Sequence, residues 1–402
     1  MNEEAPAGIR LHLPVLFGIE AAARDELFAL GCTRDQVVVN DGLVTLTLPD
    51  EEAAKDAVAS LNFRLRTVER VLYEVASFEA RTFDELFDRA GRLPWERWLD
   101  FGYEILVNGY SRQSDLFGVP AMQRTIKKAI VNRLAEARGS RSGHVREDRR
   151  AGQIDVRFAM VKNRLSLMLD TSGEGLHKRG YRPLRHEAPL RETLAAAILT
   201  YSHFRRNQAD GEALYDPLCG SGTFLIEAAL LLKNDAPGLR RHFAAERMAF
   251  FGVPRFDRAR EAAKRERVDG PTGFLYGSDI SGQAIRQAKE NAERAGVAAM
   301  ITFFRADVNA QDMVNMRERT GRDRFLLVTN PPYGERLLDP AQATALIGEL
   351  GRLARPAQPG LRLRASILSP HESFESVFGA AADKRRKLYN GMIRCTMYHY
   401  FR

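Results

Sequence analysis

The sequence predicts a doubly wound α/β fold for the C-terminal half of the chain, preceded by a smaller α+β half. Two observations lead to this prediction. From about residue 212 onward, apolar runs of strand length alternate with helical segments, as in a series of βαβ units. Near the C-terminus, Asn390-Gly391 separates two further apolar runs, which indicates a β-hairpin. The last strand should therefore run antiparallel to the rest of a mostly parallel sheet.

The predicted elements of the C-terminal half are short. Strands are expected at 214–218, 273–280, 301–308, 325–329 and 364–368, with the hairpin at 386–389 and 393–401. Helices are expected at 189–204, 224–232 and 284–295. Pro189 suits the first turn of the first helix, and Ser281 suits the N-cap of the last. A helical insertion of unknown role, 242–268, lengthens the connection between the first two strands.

The N-terminal half carries weaker signals. Strands are expected at 9–15, 66–78, 101–107, 153–158 and 164–170, with a strand pair at 37–48. Helices are expected at 19–30, 83–90 and 121–138. Asp41-Gly42 is a strong hairpin signal within the strand pair. Residues 173–187 are polar, basic and interrupted by glycine and proline, so they should link the two halves.

Composition narrows the class of protein. A chain of 402 residues with 45% hydrophobic and 28% charged residues is long enough for two or three domains and is not mostly disordered. The cysteines Cys32, Cys219 and Cys395 are too far apart for a zinc cluster or a disulfide framework, so we expect no metal. The sequence has no signal peptide and no apolar run of membrane-spanning length. We therefore expect a cytoplasmic protein without a membrane partner.

The net charge of +8 is concentrated in one region. Residues 110–150 contain ten Lys or Arg against four Asp or Glu. The candidate RNA-binding residues are Arg124, Lys127, Lys128 and Arg133 on the predicted helix at 121–138, and Lys178, Arg179 and Arg182 in the predicted linker. Basic residues at helical spacing suit phosphates, although a solvated helix face is the commoner explanation of such a run. The continued basic excess favours RNA contact.

A glycine-rich turn follows the first predicted strand of the C-terminal half. The segment 216–223, DPLCGSGT, lets the backbone approach a ligand, and the next helix offers free N–H groups to a carboxylate or phosphate. It lacks the third glycine of the dinucleotide fingerprint, where Leu225 stands, and the lysine of a P-loop. By itself the turn fits a tight strand-to-helix connection equally well.

Aspartates end the next two predicted strands, Asp279 the second and Asp307 the third. Side chains at the carboxyl ends of parallel strands face the ligand crevice. One carboxylate would accept hydrogen bonds from ribose hydroxyls, and the other would accept one from an adenine amino group. A single aspartate there is more often a helix cap. Two of them together with the glycine turn predict a site for a nucleoside with a charged tail.

The tetrapeptide Asn330-Pro331-Pro332-Tyr333 follows the fourth predicted strand. The prolines fix the backbone, so the Pro331 carbonyl and the Asn330 side-chain oxygen can both accept from one exocyclic amino group. Holding both N–H bonds would localise the lone pair of the amine toward an electrophile. Tyr333 offers a face on which an extruded base can stack. A proline-stiffened loop is the simpler interpretation, but the position opposite the glycine turn favours a functional one.

The tetrapeptide resembles the [Asn/Asp/Ser]-Pro-Pro-[aromatic] motif of class I S-adenosylmethionine-dependent amino-methyltransferases. The strings DPLCGSGTFLIEAAL, TNPPYGERL and SGEGLHKRGYRPLRHEAPLRETLAAAIL resemble the THUMP-domain RNA guanine-N2 methyltransferases, above all the bacterial family acting on 23S ribosomal RNA. The resemblance covers nearly the whole chain. It implies a ferredoxin-like domain at 1–65, which a later strand could complete, and a THUMP RNA-binding domain at 66–172. A linker at 173–187 and a Rossmann-like catalytic domain with a seven-stranded sheet at 188–402 follow.

The resemblance also implies roles for the site residues. Asp216, Gly220 and Gly222 would line the methionine end of the cofactor S-adenosylmethionine, Asp279 would hold its ribose, and Asp307 its adenine. The further cofactor contacts would be Thr223, Ile280, Val308 and Asn330. The catalytic group would be Asn330, Pro331, Pro332 and Tyr333, with the first two binding the target amine. Larger members of the family carry a second methyltransferase domain, so only the guanine-N2 activity is expected here.

Three alternatives stay open. The protein could be a tRNA guanine-N2 methyltransferase, a DNA adenine-N6 methyltransferase, or a non-catalytic RNA-binding assembly factor. The DNA hypothesis explains the tetrapeptide but not the N-terminal half, and the complete set of site residues argues against loss of activity. Ribosomal RNA is therefore the expected partner, with tRNA as the second candidate. The sequence does not predict an oligomeric state.

Overall fold

The computed structural model of the protein describes residues 8–99, 102–139, 152–182, 190–204, 211–333, 340–355 and 359–401. Within these ranges the strands form two seven-stranded sheets, one in each half of the chain. The basic residues of 140–151 and Pro189 lie outside the described residues. No helix in the described part is long and apolar enough to cross a membrane.

The first sheet spans the whole N-terminal half, in the order β2-β3-β1-β4-β7-β6-β5. Its strands are β1 (Ile9–Pro14), β2 (Val37–Asn40), β3 (Leu43–Leu48), β4 (Leu72–Glu79), β5 (Glu104–Arg112), β6 (Gln153–Val161) and β7 (Arg164–Asp170). Strand β4 pairs antiparallel with both β1 and β7. The first predicted domain therefore takes a strand from beyond residue 65, and the two N-terminal units share one continuous sheet.

The strand predicted at 66–78 begins later than expected, at Leu72. The backbone N–H groups of Arg66 and Thr67 donate to the carboxylate of Glu26 at 2.6 and 3.1 Å. Because a side chain already satisfies these donors, this stretch does not pair as a strand. The prediction was wrong for the first six residues because it could not include a partner 40 positions away in sequence.

The helices of the N-terminal half are α1 (Glu20–Ala29), α2 (Glu51–Arg64), α3 (Phe83–Gly91) and α4 (Val119–Ala137). The sequence prediction missed α2. Its start carries a clear signal, because Asp50 is the N-cap and its carboxylate accepts from the Ala53 N–H at 2.8 Å. Helix α4 buries an apolar stripe that includes Met122, Ile126 and Ile130. Its basic face is therefore directed away from the core, as the sequence pattern indicates.

The second sheet has the order β10-β9-β8-β11-β12-β14-β13. Its strands are β8 (Ala213–Asp216), β9 (Leu275–Asp279), β10 (Ile301–Arg305), β11 (Arg324–Thr329), β12 (Arg362–Ser369), β13 (Lys384–Asn390) and β14 (Ile393–Tyr400). Strands β8 to β12 are parallel, and β14 is antiparallel to both of its neighbours. The predicted parallel sheet with an antiparallel terminal hairpin is confirmed. The chain reverses its direction of travel across the sheet between β8 and β11.

The helices of the C-terminal half are α5 (Glu192–Tyr201), α6 (Thr223–Leu232), α7 (Val253–Arg265), α8 (Gly282–Arg294), α9 (Met313–Thr320), α10 (Pro340–Leu353) and α11 (Phe374–Phe378). The first of these begins at Glu192 rather than at Pro189, because the backbone of Arg191 is extended. Ser281 caps α8 as predicted, accepting from the Ala284 N–H at 3.2 Å. The sequence prediction missed α9, α10 and α11.

The insertion at 242–268 docks the catalytic half onto helix α2. It forms a 3-10 turn followed by α7. The rings of Phe63 on α2 and Phe243 pack edge to face with centroids 5.0 Å apart. Around this contact, Arg255 pairs with Glu52 at 2.7 Å, and Glu266 pairs with Arg64 of α2 at 2.6 Å. The role that the sequence left open is therefore a contact between the two halves of the protein.

The segment predicted as a linker is packed along its described part, up to residue 182. The guanidinium group of Arg241 donates to the carbonyls of Gly175 and Lys178 at 2.6 and 2.9 Å. Glu69, in the N-terminal half, accepts from the guanidinium of Arg191 at 2.8 Å and the hydroxyl of Thr193 at 2.5 Å. These polar contacts, most of them half-buried, fix the connection between the halves.

Candidate active site

The candidate site lies at the carboxyl ends of β8, β9 and β11, where the chain changes direction across the sheet. Ligand crevices of doubly wound sheets form at such a switch point. Asp216 ends β8 and Thr329 ends β11, and the Thr329 hydroxyl donates to Asp216 Oδ1 at 2.7 Å. This hydrogen bond joins the glycine turn to the strand that carries the tetrapeptide, so both motifs occupy one crevice.

The glycine turn has a backbone that requires glycine at two positions. Gly220 and Gly222 have φ angles of +50° and +81°. A Cβ on Gly222 would come 3.0 Å from the ring of Phe303, so this residue lets the turn pack against β10. A Cβ on Gly220 would meet nothing within 4 Å, so this residue faces open space at the strand ends. The Gly220 N–H donates to Asp279 Oδ2 at 3.0 Å, which couples the turn to β9.

Asp216 is a buried carboxylate, 2% exposed. Burial raises its pKa to about 7, and the nearby charge of Asp279 raises it too, whereas hydrogen bonds from Thr329 and the Leu218 N–H lower it. No cation is among these causes of the pKa of Asp216. The α-amino group of a methionine moiety is a cation that would offset the burial of this carboxylate.

Replacing the Asp216 carboxyl group should raise the stability of the ligand-free protein and weaken its binding of the cofactor. The folded-state pKa of Asp216 is raised, so its contribution to stability is complete below about pH 4 and is lost as pH rises through about 7. We expect Asp216→Asn to raise the Tm of the ligand-free protein at pH 8 by several degrees, with little effect at pH 4.5. The same variant should bind S-adenosylmethionine at least tenfold more weakly at pH 8. A lower Tm at pH 8 than that of the unsubstituted protein would contradict the proposed buried charge.

Asp279 and Asp307 follow neighbouring strands of the sheet, but their surroundings differ. Asp279 is partly exposed and also accepts from the Ser281 N–H at 2.8 Å. Asp307 lies two residues beyond β10, where it caps a 3-10 turn by accepting from the Asn309 N–H at 2.9 Å. Ile280 is 58% exposed and therefore available to a ligand ring. The side chain of Val308 packs in the core, and its carbonyl accepts from the Gln311 N–H at 3.1 Å, so a cofactor contact by Val308 stays a prediction.

Thr223, another predicted cofactor contact, is buried at the first position of α6. Its hydroxyl group accepts a hydrogen bond from Arg182 and lies 3.3 Å from the Ser221 hydroxyl. Asn291, a buried residue of α8, donates to the Ser221 carbonyl at 3.1 Å. The side chain of Thr223 is thus used in holding the turn, which leaves the backbone N–H groups at the start of α6 for an anionic ligand group.

The tetrapeptide leaves β11 beside Asp216. Asn330 Oδ1 is buried and has no hydrogen-bond partner among the described residues. A buried amide oxygen without a donor costs roughly 1–3 kcal/mol, so such an atom indicates a ligand position. An acceptor is therefore available at Asn330, and its contact with a substrate amine stays a prediction. Pro331 is buried, and Pro332 is partly buried.

The ring of Tyr333 is held by the terminal hairpin. Its hydroxyl oxygen accepts from Asn390 Nδ2 at 2.6 Å and lies 3.8 Å from Cys395 Sγ. Burial raises the pKa of Tyr333, so the phenol stays neutral, and hydrogen bonds to Asn390 and Asn330 oppose that shift. A fixed neutral ring suits stacking rather than proton transfer. Cys219 and Cys395 are buried, as expected of packing residues.

The predicted RNA-binding residues separate into two groups. Arg124 and Lys128 are exposed one turn apart on α4, while Lys127 is partly buried. Arg133, on the same helix, forms an ion pair with Glu96. Lys178 is exposed and lies 3.0 Å from Glu174. RNA contact by this first group stays a prediction.

The prediction for Arg179 and Arg182 was wrong, because both are used inside the protein. Arg179 is 2% exposed, donates to the carbonyls of Arg66 and Leu176, and lies 3.5 Å from Glu227. Arg182 is largely buried and donates to the Leu190 carbonyl at 3.1 Å. Composition signals positive charge, but it does not distinguish a surface cation from one whose partners come from a distant part of the chain.

Truncation of Arg179 should therefore destabilise the protein rather than weaken RNA binding alone. Arg179→Ala leaves Glu227 buried without its cation, which typically costs about 3–5 kcal/mol. We expect a fall of several degrees in Tm, measured by calorimetry without RNA. Lys178→Ala, an exposed neighbour, is the matched control and should leave Tm unchanged. Equal Tm values for the two variants would contradict the structural role.

Several supporting residues were missed from the sequence. Thr329, Asn291 and Asn390 hold Asp216, the glycine turn and Tyr333 respectively. Thr329 had a signal, because it directly precedes the tetrapeptide at the end of a strand. Asn390 was interpreted only as a turn residue, because its contact with Tyr333 spans 57 positions.

The strand order and the site define a class I methyltransferase fold that binds S-adenosylmethionine. Residues 179–399 match the family described as RMKL-like, methyltransferase domain, and the chain belongs to this family. Residues 80–170 match the THUMP domain, and residues 10–72 match the RlmL ferredoxin-like domain. The resemblance inferred from the sequence motifs is confirmed.

The most similar proteins include both short and long relatives. The putative RNA methyltransferase YpsC of Bacillus subtilis (strain 168) is 36% identical over 385 residues, covering 96% of this chain and 94% of the relative. The ribosomal RNA large subunit methyltransferase K/L of Syntrophotalea carbinolica is 33% identical over 396 residues, covering 95% of this chain but 52% of the relative. The chain thus spans about half the length of that relative.

A solved structure supports the cofactor assignment. SMU.472, described as a putative methyltransferase complexed with SAH, is 31% identical, covers 99% of both chains and superposes with a TM-score of 0.83. SAH is the demethylated form of S-adenosylmethionine, so S-adenosylmethionine is the methyl donor. The open face at Gly220, the carboxylate of Asp279 and the exposed Ile280 fit this cofactor.

Proposed function

We propose that this protein methylates the exocyclic N2 of a guanine in large-subunit ribosomal RNA. The observation that carries the proposal is Asn330 Oδ1, directly after β11, which is buried and has no hydrogen-bond partner among the residues that the structure describes. The carboxylate of the cofactor cannot donate a hydrogen bond to this oxygen. The ribose hydroxyls of the cofactor are expected at the ends of the other strands. Asn330 Oδ1 suits an N–H donor that arrives with the substrate.

The bound S-adenosylmethionine would supply an electrophilic methyl group on its sulfonium. The chain contributes position and charge. Asp216 faces the methionine end, and Asp279 accepts from the ribose while holding the Gly220 N–H. Asn330 Oδ1 and the Pro331 carbonyl would accept hydrogen bonds from the two amine N–H groups, which directs the nitrogen lone pair toward the methyl carbon. As the N–C bond forms the S–C bond breaks, SAH leaves, and the extra proton on the nitrogen passes to solvent. This is catalysis by orientation and preorganised dipoles, without a covalent intermediate on the protein.

The N-terminal half supports RNA over DNA as the substrate. The same amine geometry would serve adenine N6, so the tetrapeptide does not discriminate between guanine and adenine. The THUMP match at 80–170, the exposed cations Arg124 and Lys128, and relatives named as RNA methyltransferases favour RNA. The K/L relatives favour ribosomal RNA over tRNA. Such a substrate implies action in the cytoplasm.

The test supplies the purified protein with labelled S-adenosylmethionine and, separately, protein-free ribosomal RNA, tRNA and DNA. Digestion to nucleosides and mass spectrometry then identify the product. We expect N2-methylguanosine from ribosomal RNA, and its loss at one position in ribosomal RNA from cells lacking the gene. Methyladenine from DNA, transfer only to tRNA, or no transfer to any nucleic acid would overturn the proposal.

A further inference from the structure

Arg182, which the sequence predicted as an RNA contact, is buried beside the glycine turn. Its side chain is 10% exposed and donates to the Thr223 hydroxyl and, at 3.1 Å, to the Leu190 carbonyl. The Nε atom of this guanidinium is buried and has no hydrogen-bond partner among the described residues. The Glu192 carboxylate lies 3.6 Å from Nε, which is too far for a hydrogen bond. A buried cation therefore contacts the first residue of α6.

The segment that carries this arginine is fixed to both halves of the protein. The Leu176 N–H donates to the Glu69 carbonyl of the N-terminal half at 2.8 Å. The Tyr181 hydroxyl donates to Glu227 of α6 at 3.1 Å. Glu227 lies one helical turn beyond Thr223, so the segment holds two successive turns of α6. The cation thus reaches the glycine turn from a support that is anchored elsewhere.

A chain of two hydroxyl groups leads from Arg182 into the glycine turn. Because a guanidinium group can only donate, the Thr223 oxygen accepts from it. The Thr223 proton is then available to Ser221 Oγ, 3.3 Å away. In this arrangement the Ser221 oxygen accepts, so its own proton remains for a further acceptor. The two hydroxyl groups form a directed chain of donors, each polarised by the group before it.

Ser221 occupies the part of the turn that a ligand can reach. It lies between Gly220 and Gly222, whose left-handed backbones form the turn. Its carbonyl accepts from Asn291 at 3.1 Å, which fixes its backbone. Ser221 is partly exposed, whereas Thr223 is buried. The chain of donors therefore begins at a buried cation and ends at a residue that is accessible from outside.

We propose that Ser221 donates to the carboxylate at the methionine end of the methyl donor, and that Arg182 is a positioning residue that directs this donor through Thr223. The N–H groups at the start of α6 and the positive end of the helix dipole favour an anion at the same place. Hydrogen bonds to a charged acceptor are stronger than neutral ones, so a carboxylate gains most from such a donor. Asp216, at the other end of the turn, suits the amino group instead. The inference concerns the methyl donor and does not depend on which RNA is methylated.

The test measures binding of S-adenosylmethionine and of its decarboxylated form to the full-length protein by titration calorimetry, without RNA. The decarboxylated ligand keeps the sulfonium, the amino group and the adenosine, and lacks only the carboxylate. We expect Ser221→Ala and Arg182→Gln each to bind S-adenosylmethionine about tenfold more weakly, while their Kd values for the decarboxylated ligand change less than twofold. Arg182→Lys, which keeps a charged donor, should lose less than threefold. Arg258→Gln, at an exposed position of α7, should bind both ligands as the unsubstituted protein does.

The double variant Ser221→Ala, Arg182→Gln tests whether the arginine acts through the serine. Its Kd for S-adenosylmethionine should equal that of Ser221→Ala within twofold, because no serine donor remains to be directed. Losses that multiply to about a hundredfold would overturn the positioning role. An Arg182→Gln protein that binds neither ligand would show a purely structural role and would overturn it as well. If Ser221→Ala weakens both ligands equally, or neither, the assigned carboxylate contact is wrong.

Discussion

Asn330→Ala should reduce kcat for methyl transfer about a hundredfold to a thousandfold, while the Kd for S-adenosylmethionine changes less than threefold. The expected size follows from the loss of one preorganised polar group at the reacting atoms. Asn330 Oδ1 has no hydrogen-bond partner among the described residues, so no contact of this oxygen within them is lost in the variant before substrate binds. In the presence of the amine, the variant would leave a substrate N–H without an acceptor. Turnover assays with saturating RNA measure kcat, and titration calorimetry with S-adenosylmethionine measures the Kd.

Two further variants isolate the cause of that loss. Asn330 also contacts Tyr333, so its truncation could act by releasing the ring. Tyr333→Phe removes the hydroxyl contact and keeps the ring, and we expect less than a tenfold loss of kcat. Asn315→Ala, at an exposed position of α9, should leave both constants unchanged. A normal kcat for Asn330→Ala would show that the amine is bound elsewhere.

Asp279→Ala should have the opposite signature, weakening S-adenosylmethionine binding about a hundredfold with partial recovery of kcat at saturating cofactor. The carboxylate accepts from the Gly220 N–H at 3.0 Å and the Ser281 N–H at 2.8 Å. Hydrogen bonds to a charged group contribute about 1.5–3 kcal/mol each, and the variant loses the expected ribose contact as well as the anchor of the glycine turn. Calorimetric titration with S-adenosylmethionine and with SAH gives the Kd.

Asp257→Ala provides the matched control for this prediction. Asp257 is exposed on α7, away from the strand ends, and we expect the Kd of that variant to be unchanged. Asp279→Asn should show an intermediate loss, because an amide keeps one acceptor oxygen but not the charge. An unchanged Kd in Asp279→Ala would rule out the assigned ribose contact, whatever the effect on kcat.

The order of most elements along the chain was predictable because the signals are local. Strand and helix periods, the Asp-Gly and Asn-Gly turns, and the glycine turn each depend on a few neighbouring residues. The helices missed in the prediction were those with weaker patterns, although α2 carried the Asp50 cap. The start of β4 failed for a different reason, since Glu26 satisfies the backbone donors that a strand would otherwise use.

The site was partly predictable for the same reason. Asp216, Asp279 and Asn330 lie at strand ends, and parallel strands bring their carboxyl ends to one edge of the sheet. The fold class and the cofactor could therefore be predicted from local patterns alone, and Asn330 stays the predicted acceptor of the substrate amine.

Contacts between distant parts of the chain settle which cations are exposed and which side chains hold the site residues in place. Arg179 and Arg124 look alike in sequence, yet one is enclosed near Glu227 and the other is exposed on α4. Likewise, Asn390 and Tyr333 lie 57 positions apart, yet Asn390 Nδ2 donates to the Tyr333 hydroxyl at 2.6 Å. Whether a side chain is buried, and which residues it bonds, depends on contacts between segments that are distant in sequence. No local pattern of residues encodes such contacts.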